Sequence, residues 1–362
     1  MKKLIVALVA IGAIAGCKNE SAAPPGAMAQ KAQAGGGSVL INGAGSTFAA
    51  PLYSKWAFRY QKAHPEVKVN YQAIGSGGGI QQITNHTVDF GASDAWLKDA
   101  QKQKAPGLFN LPVVLGAVVV AYNLPGYAGP PLKLDGATLA NMYLGQVKTW
   151  NDPAIAALNP GVSLPKTPVV IAHRADGSGT TSIFTDYLSK VSPSWKEKVG
   201  SNTAVSWPLG LGGKGNDGVA GIVKQNPGAV GYVELAYADQ NHLPVATLKS
   251  HDGPFVTASV ESTSAAAAQV AVPDDFAVSV TDAPGANAWP ITGFTYVLLY
   301  PDFQDAQKGS ALLRFFHWGL TEGKAQAKAL DYAPLPQALE AKVLAKLGTV
   351  TVNGQPFDPS KP

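Results

Sequence analysis

The sequence predicts an α/β fold in two lobes. Three observations carry this. Strand-like runs alternate with helical ones from residue 39 onward. Glycine- and hydroxyl-rich loops recur where strands hand over to helices. Two long apolar stretches, 111–124 and 293–300, suit strands that cross from one lobe to the other.

The elements follow in order. Val39-Leu40-Ile41 is a short apolar strand, followed by the loop Asn42 to Phe48. A helix is expected from about Ala49 to His64, because Leu52, Trp56 and Tyr60 recur on one face. Residues 67–74 (VKVNYQAI) alternate and are β-branched, as a strand should be. Gly75-Ser76-Gly77-Gly78-Gly79 leads into the helix-like Ile80 to Ile83. Residues 88–94 (VDFGASD) form a further strand with a polar exit. The crossings at 111–124 and 293–300 make the first lobe discontinuous, 38–121 plus 286–362. The second lobe is then 122–285, and each lobe is a mostly parallel sheet flanked by helices. Residues 210–215 match GxGxxG, but no strand leads in and no acidic residue follows at the right distance, so a tight loop is expected. The alanine-rich run 264–268 fits a surface helix. Tryptophans 56, 150, 207 and 289 are expected in packing, with Trp207 anchoring a loop.

The first residues are an address. Lys2 and Lys3 precede an apolar run from Leu4 to Ala15, and Ile14-Ala15-Gly16-Cys17 is similar to a lipoprotein signal. That pattern implies removal of residues 1–16 and a lipid on Cys17, the chain's single cysteine, so no disulfide is expected. Residues 17–37 are an Ala/Gly/Pro/Gln tether. The formal charge is +4, or +2 once Lys2 and Lys3 are gone, with no basic stripe. Nucleic acid is therefore not an expected partner. The six histidines lack ligand spacing, and neither a metal nor a cofactor is expected.

Residues 174–180 (RADGSGT) are the most informative stretch. Arg174 supplies a planar fork of donors, and Asp176 is a carboxylate two residues on. Ser178 and Thr180 add hydroxyls between glycines, Gly179 among them. The following TSIFTDYLSKV has helical spacing, so the loop ends at a helix N-terminus, which favours an anion. Gly45-Ser46-Thr47-Phe48, Gly75-Ser76-Gly77 and Ser93-Asp94 share this chemistry. Ligands of open α/β sheets sit beyond the carboxyl ends of strands. Three loops from one lobe and one from the other would grip a ligand from both sides.

Seven segments in order carry a resemblance over nearly the whole mature chain: GAGSTFAAPLYSKW, YQAIGSGGGIQQI, TVDFGASDAWL, MYLGQVKTWND, RADGSGTTSIFT, WPLGLGGKGNDGVAG and GYVELAYA. The chain resembles the exported phosphate-binding proteins of Pst-type ABC transporters. The resemblance implies a two-lobed periplasmic-binding-protein fold that closes by hinge motion and is not an enzyme. It implies inorganic phosphate as ligand, and membrane permease and ATPase subunits as partners, beside the membrane reached through a lipid anchor. By position it implies that Thr47 and Phe48 donate through hydroxyl and backbone, Ser76 through both, and Ser178, Gly179 and Thr180 likewise. Arg174 would lie on the ligand, paired with Asp176. Asp94 would accept a hydrogen bond from a protonated phosphate oxygen, which fully ionised sulfate cannot offer. Ser46 and His173 stand where alanine and a second arginine can occur.

Other readings stay open at this level. Asp94 could cap a helix, Asp176 could be a turn residue, and Thr47 and Ser76 are ordinary N-caps. A hydrolase would use Ser178 as nucleophile, His173 as base and Asp176 as orienter. A receptor for another oxyanion, such as sulfate, is the third reading.

Overall fold

The computed structural model describes residues 38–361. The signal segment, Cys17 and the tether lie outside them. The strands are β1 (Val39–Gly45), β2 (Val67–Ala73), β3 (Phe90–Ser93), β4 (Phe109–Tyr122), β5 (Lys133–Leu134), β6 (Val170–Arg174), β7 (Leu211–Gly213) and β8 (Ala229–Glu234). They continue with β9 (Thr247–Lys249), β10 (Phe255–Val256), β11 (Thr292–Leu299), β12 (Asp302–Phe303), β13 (Ala333–Pro334), β14 (Thr351–Val352) and β15 (Gln355–Pro356). The helices are α1 (Ala50–Ala63), α2 (Ser76–Thr84), α3 (Asp99–Lys104), α4 (Gly136–Tyr143), α5 (Pro153–Leu158), α6 (Gly179–Val191) and α7 (Pro193–Lys198). After them come α8 (Gly215–Gln225), α9 (Leu235–Asn241), α10 (Val260–Ala267), α11 (Ala306–Thr321), α12 (Lys324–Lys328) and α13 (Gln337–Gly348). Among these residues no helix is long and apolar enough to cross a membrane.

One nine-stranded sheet runs through the molecule in the order β2-β1-β3-β11-β4-β8-β6-β7, with β13 also on β4. Its outer strands are parallel: β1 with β2 and β3, and β6 with β7 and β8. Its centre is antiparallel, where β4 meets β11 on one side and β8 on the other. β4 is buried along nearly its whole length, which is why its sequence is apolar without alternation. Residues Phe109–Ala117 of β4 pair with β11, and Val118–Tyr122 pair with β8, so one strand serves both lobes.

The second stretch expected to cross does not do so. β11 pairs only with β3 and the first half of β4. The chain returns just before it, where Val118 N–H donates to Ile291 O at 2.8 Å and Trp289 Nε1 donates to Val118 O at 3.0 Å. The alanine-rich helix α10 buries one face, with Thr263, Ala266 and Ala267 against β4, β11 and β13, and leaves Glu261 on its other face and Ala268 just past its end exposed.

Each lobe has an aromatic core. Tyr53, Trp56, Phe90, Phe315 and Phe316 pack edge to face beneath the first half of the sheet. In the second half Phe184 meets Tyr143 edge to face and stacks on Tyr232, and Trp207 stacks there on His173.

Candidate functional site

The carboxyl ends of β1, β3 and β6 each carry a polar group to the line where the lobes meet. Asp94 follows β3 and is 4% exposed. Its Oδ1 accepts from Ser46 Oγ at 2.6 Å and Thr295 Oγ1 at 2.8 Å, and its Oδ2 from Ser76 Oγ at 3.4 Å. Burial pushes the Asp94 carboxyl up to about 6, although the Ser46 and Thr295 hydroxyls and the Arg174 charge pull the other way.

Arg174 ends β6 and is 3% exposed. Its guanidinium grips Asp176 with both arms, Nε to Oδ1 at 2.8 Å and Nη2 to Oδ2 at 2.5 Å, while Nη1 donates to Thr180 Oγ1 at 3.3 Å. Burial acts to raise the Asp176 carboxyl, but Arg174 and the Gly215 N–H hold it below the usual carboxylate value. The pair is therefore close to electrically neutral, and one guanidinium edge remains beside Thr180.

Contacts between lobes are made by the predicted loops. Gly179 N–H donates to Ser76 Oγ at 3.1 Å, and Gly77 N–H to Gly177 O at 2.8 Å. At position 179 a Cβ would lie 2.5 Å from Asp94 Oδ2 and 2.6 Å from Ser76 Oγ, so only glycine admits this approach. Gly75 has φ +90, and a Cβ there would lie 2.2 Å from Asp176 Oδ2.

The structure thus brings Thr47, Phe48, Ser76, Asp94, Arg174, Asp176, Gly179 and Thr180 to one place. Phe48, Ser76 and Thr180 are wholly buried, and their backbone N–H groups meet no acceptor among the described residues. Buried N–H groups are nearly always paired. These three sit at the starts of α1, α2 and α6, where donors and dipoles suit an anion. Ser178 also has a local task. Its Oγ accepts from Thr181 N–H at 3.0 Å and caps α6. His173 Nδ1 lies 3.0 Å from Arg174 O, and its ring stacks on Trp207.

Two residues that sequence reasoning did not single out belong to the cluster. Asn216 Nδ2 donates to Thr47 Oγ1 at 2.8 Å and Thr180 Oγ1 at 3.2 Å, while its Oδ1 accepts from Glu234 N–H at 2.9 Å. It stands in the first turn of α8. Where a tight loop is expected at 210–215, short strand β7 instead runs into that helix, because β7 adds parallel to β6. Thr295, on the central strand β11, is the other. Asn216 lay inside a quoted motif, whereas Thr295 carried no local signal.

Buried donors and one guanidinium gathered where two α/β lobes pack together define a solute-binding protein for a small anion. A family model described as the PBP superfamily domain matches residues 29–317. The phosphate-binding protein PstS of Pasteurella multocida is 46% identical over 311 residues, covering 85% of this chain and 90% of that one. The PstS of Xylella fastidiosa strain Temecula1 is 46% identical over 327 residues, covering 90% and 88%. The crystal structure of a phosphate-binding protein from Stenotrophomonas maltophilia shares the fold at a TM-score of 0.70 and 19% identity, over 87% of this chain and 96% of that one. The chain belongs to the PBP superfamily and, within it, to the PstS family of phosphate-binding proteins.

Proposed function

We propose that this chain binds inorganic phosphate with high affinity between its lobes and delivers it to an ABC transporter. The observation that carries the reading is a carboxylate, Asp94, set among buried anion donors. A carboxylate repels a fully ionised anion but pairs with one that still bears a proton, as phosphate does near neutral pH. In this reading the N–H groups of Phe48, Ser76, Gly179 and Thr180 and the hydroxyls of Thr47, Ser76 and Thr180 surround the phosphate oxygens. Arg174 contributes the positive charge and Asp176 orients it. The Ser178 hydroxyl caps α6 as an acceptor and still has its proton to donate to the ligand.

Calorimetry with phosphate and sulfate tests this. Phosphate should bind tightly and sulfate hardly at all. Sulfate binding without phosphate binding would overturn it.

The chain acts as a carrier rather than an enzyme. Ser178 Oγ accepts from Thr181 N–H, His173 Nδ1 lies 3.0 Å from Arg174 O, and no hydrogen bond joins the two side chains among the described residues, so the hydrolase arrangement has no support here. The leader and the family support export, lipid on Cys17, and docking to permease and ATPase subunits. Mass measurement of the mature protein tests the lipid: an unmodified Cys17 removes it.

A further inference from the structure

Three successive carbonyls of the first loop each accept a tyrosine hydroxyl at 2.6 Å. Tyr71 Oη donates to Ser46 O, Tyr237 Oη to Thr47 O, and Tyr332 Oη to Phe48 O. The tyrosines come from separate places: β2, α9 and the residue before β13. In a trans peptide the carbonyl and the next N–H point in opposite directions. Fixing the carbonyls of residues 46 and 47 therefore fixes the N–H groups of Thr47 and Phe48, and Phe48 N–H is one of the buried donors without an acceptor. Burial pushes all three phenols up, so they stay neutral donors.

We propose that Tyr71 and Tyr237 are positioning residues that aim the first loop's amides at the bound anion, and that Tyr237 does so only when the lobes close. The inference rests on the phosphate reading above. Tyr71 and Tyr332 stand on the first lobe with the loop they hold. Tyr237 stands on α9, which packs on β8 and α8 of the second lobe, so its bond to Thr47 O crosses the cleft. Opening the lobes breaks that bond and frees the Thr47–Phe48 peptide plane to turn. Donor geometry and closure are then one event, and the anion leaves as the plane relaxes.

The test is Tyr237→Phe, which keeps the ring and removes the donor, beside Tyr71→Phe. Stopped-flow binding of inorganic phosphate should show Tyr237→Phe releasing it about tenfold faster with an unchanged association rate. The Phe48 amide proton signal of the phosphate-bound variant should move toward its ligand-free position. The ligand-free melting temperature should stay unchanged in Tyr237→Phe and fall in Tyr71→Phe, whose bond lies within one lobe. Wild-type release from Tyr237→Phe, or a lowered ligand-free melting temperature with unchanged release, overturns the inference alone. Failure of the wild-type protein to bind phosphate overturns the reading beneath it.

Discussion

Asp94 and Thr295 are 201 positions apart in sequence and are joined by a 2.8 Å hydrogen bond. The register of β11 against β4 shifts between Thr295 and Tyr296, an irregularity of the kind that redirects side chains near functional sites. Thr295 and Ser46 together occupy Oδ1, so Oδ2 is the oxygen that faces Ser76 beside it and Gly179 across the lobe boundary. One carboxylate oxygen is anchored and the other is presented.

Asp94→Asn should therefore change selectivity more than fold. An amide can donate to a fully ionised oxygen, so sulfate should gain and phosphate lose. The phosphate-to-sulfate affinity ratio should fall by at least about 100-fold, since a lost obligatory pairing accounts for large discrimination. Competitive calorimetry measures this, and an unchanged ratio removes the assigned role.

The same carboxyl sets a pH dependence in the ligand-free protein. Its folded value of about 6 stands above the reference 3.8. The unfolded chain thus holds fewer protons between these values, and the contribution to stability is full below about 4 and lost as pH rises through about 6. Between pH 5 and 7.5 wild type should lose on the order of 1–2 kcal/mol relative to Asp94→Asn. Urea unfolding of both proteins at the two pH values checks the difference, and parallel curves would contradict it.

Arg174→Ala should weaken phosphate by about 100-fold or more, because it deletes charged hydrogen bonds and leaves Asp176 as an unpaired repulsive carboxylate. Near-normal affinity in titration would show that the 174–180 loop does not reach the ligand.

Gly179→Ala places a methyl against Asp94 and Ser76. Each lobe should fold unchanged, but closure should be opposed by about 1–3 kcal/mol, equivalent to roughly ten- to hundredfold in affinity. Small-angle scattering should show less compaction on adding phosphate than wild type shows; full compaction would argue against a tight approach here.

The alternation of strands and helices and the four glycine-hydroxyl loops were legible because their signals are local. Thr47, Ser76, Asp94 and Arg174 stand at strand ends, where sequence period and loop chemistry change together. Asn216 and Thr295 were not legible as site residues, because each acquires its task from a partner far along the chain. The edge strand β7 is three residues long and has meaning only beside β6, so a glycine-rich loop was the natural expectation. The return crossing escaped for a similar reason: apolar length marks β11 as a buried strand but does not say which neighbours bury it.

β4 has one further consequence. Both halves of the main sheet draw hydrogen bonds from this single strand, so neither half can unravel without stripping partners from the other. Heating should take the protein apart in one cooperative transition, with calorimetric and van't Hoff enthalpies in agreement, despite its two-part shape. It also means that an isolated lobe is not a removable cassette, since a cut on either side of Val118 leaves half a strand unmatched.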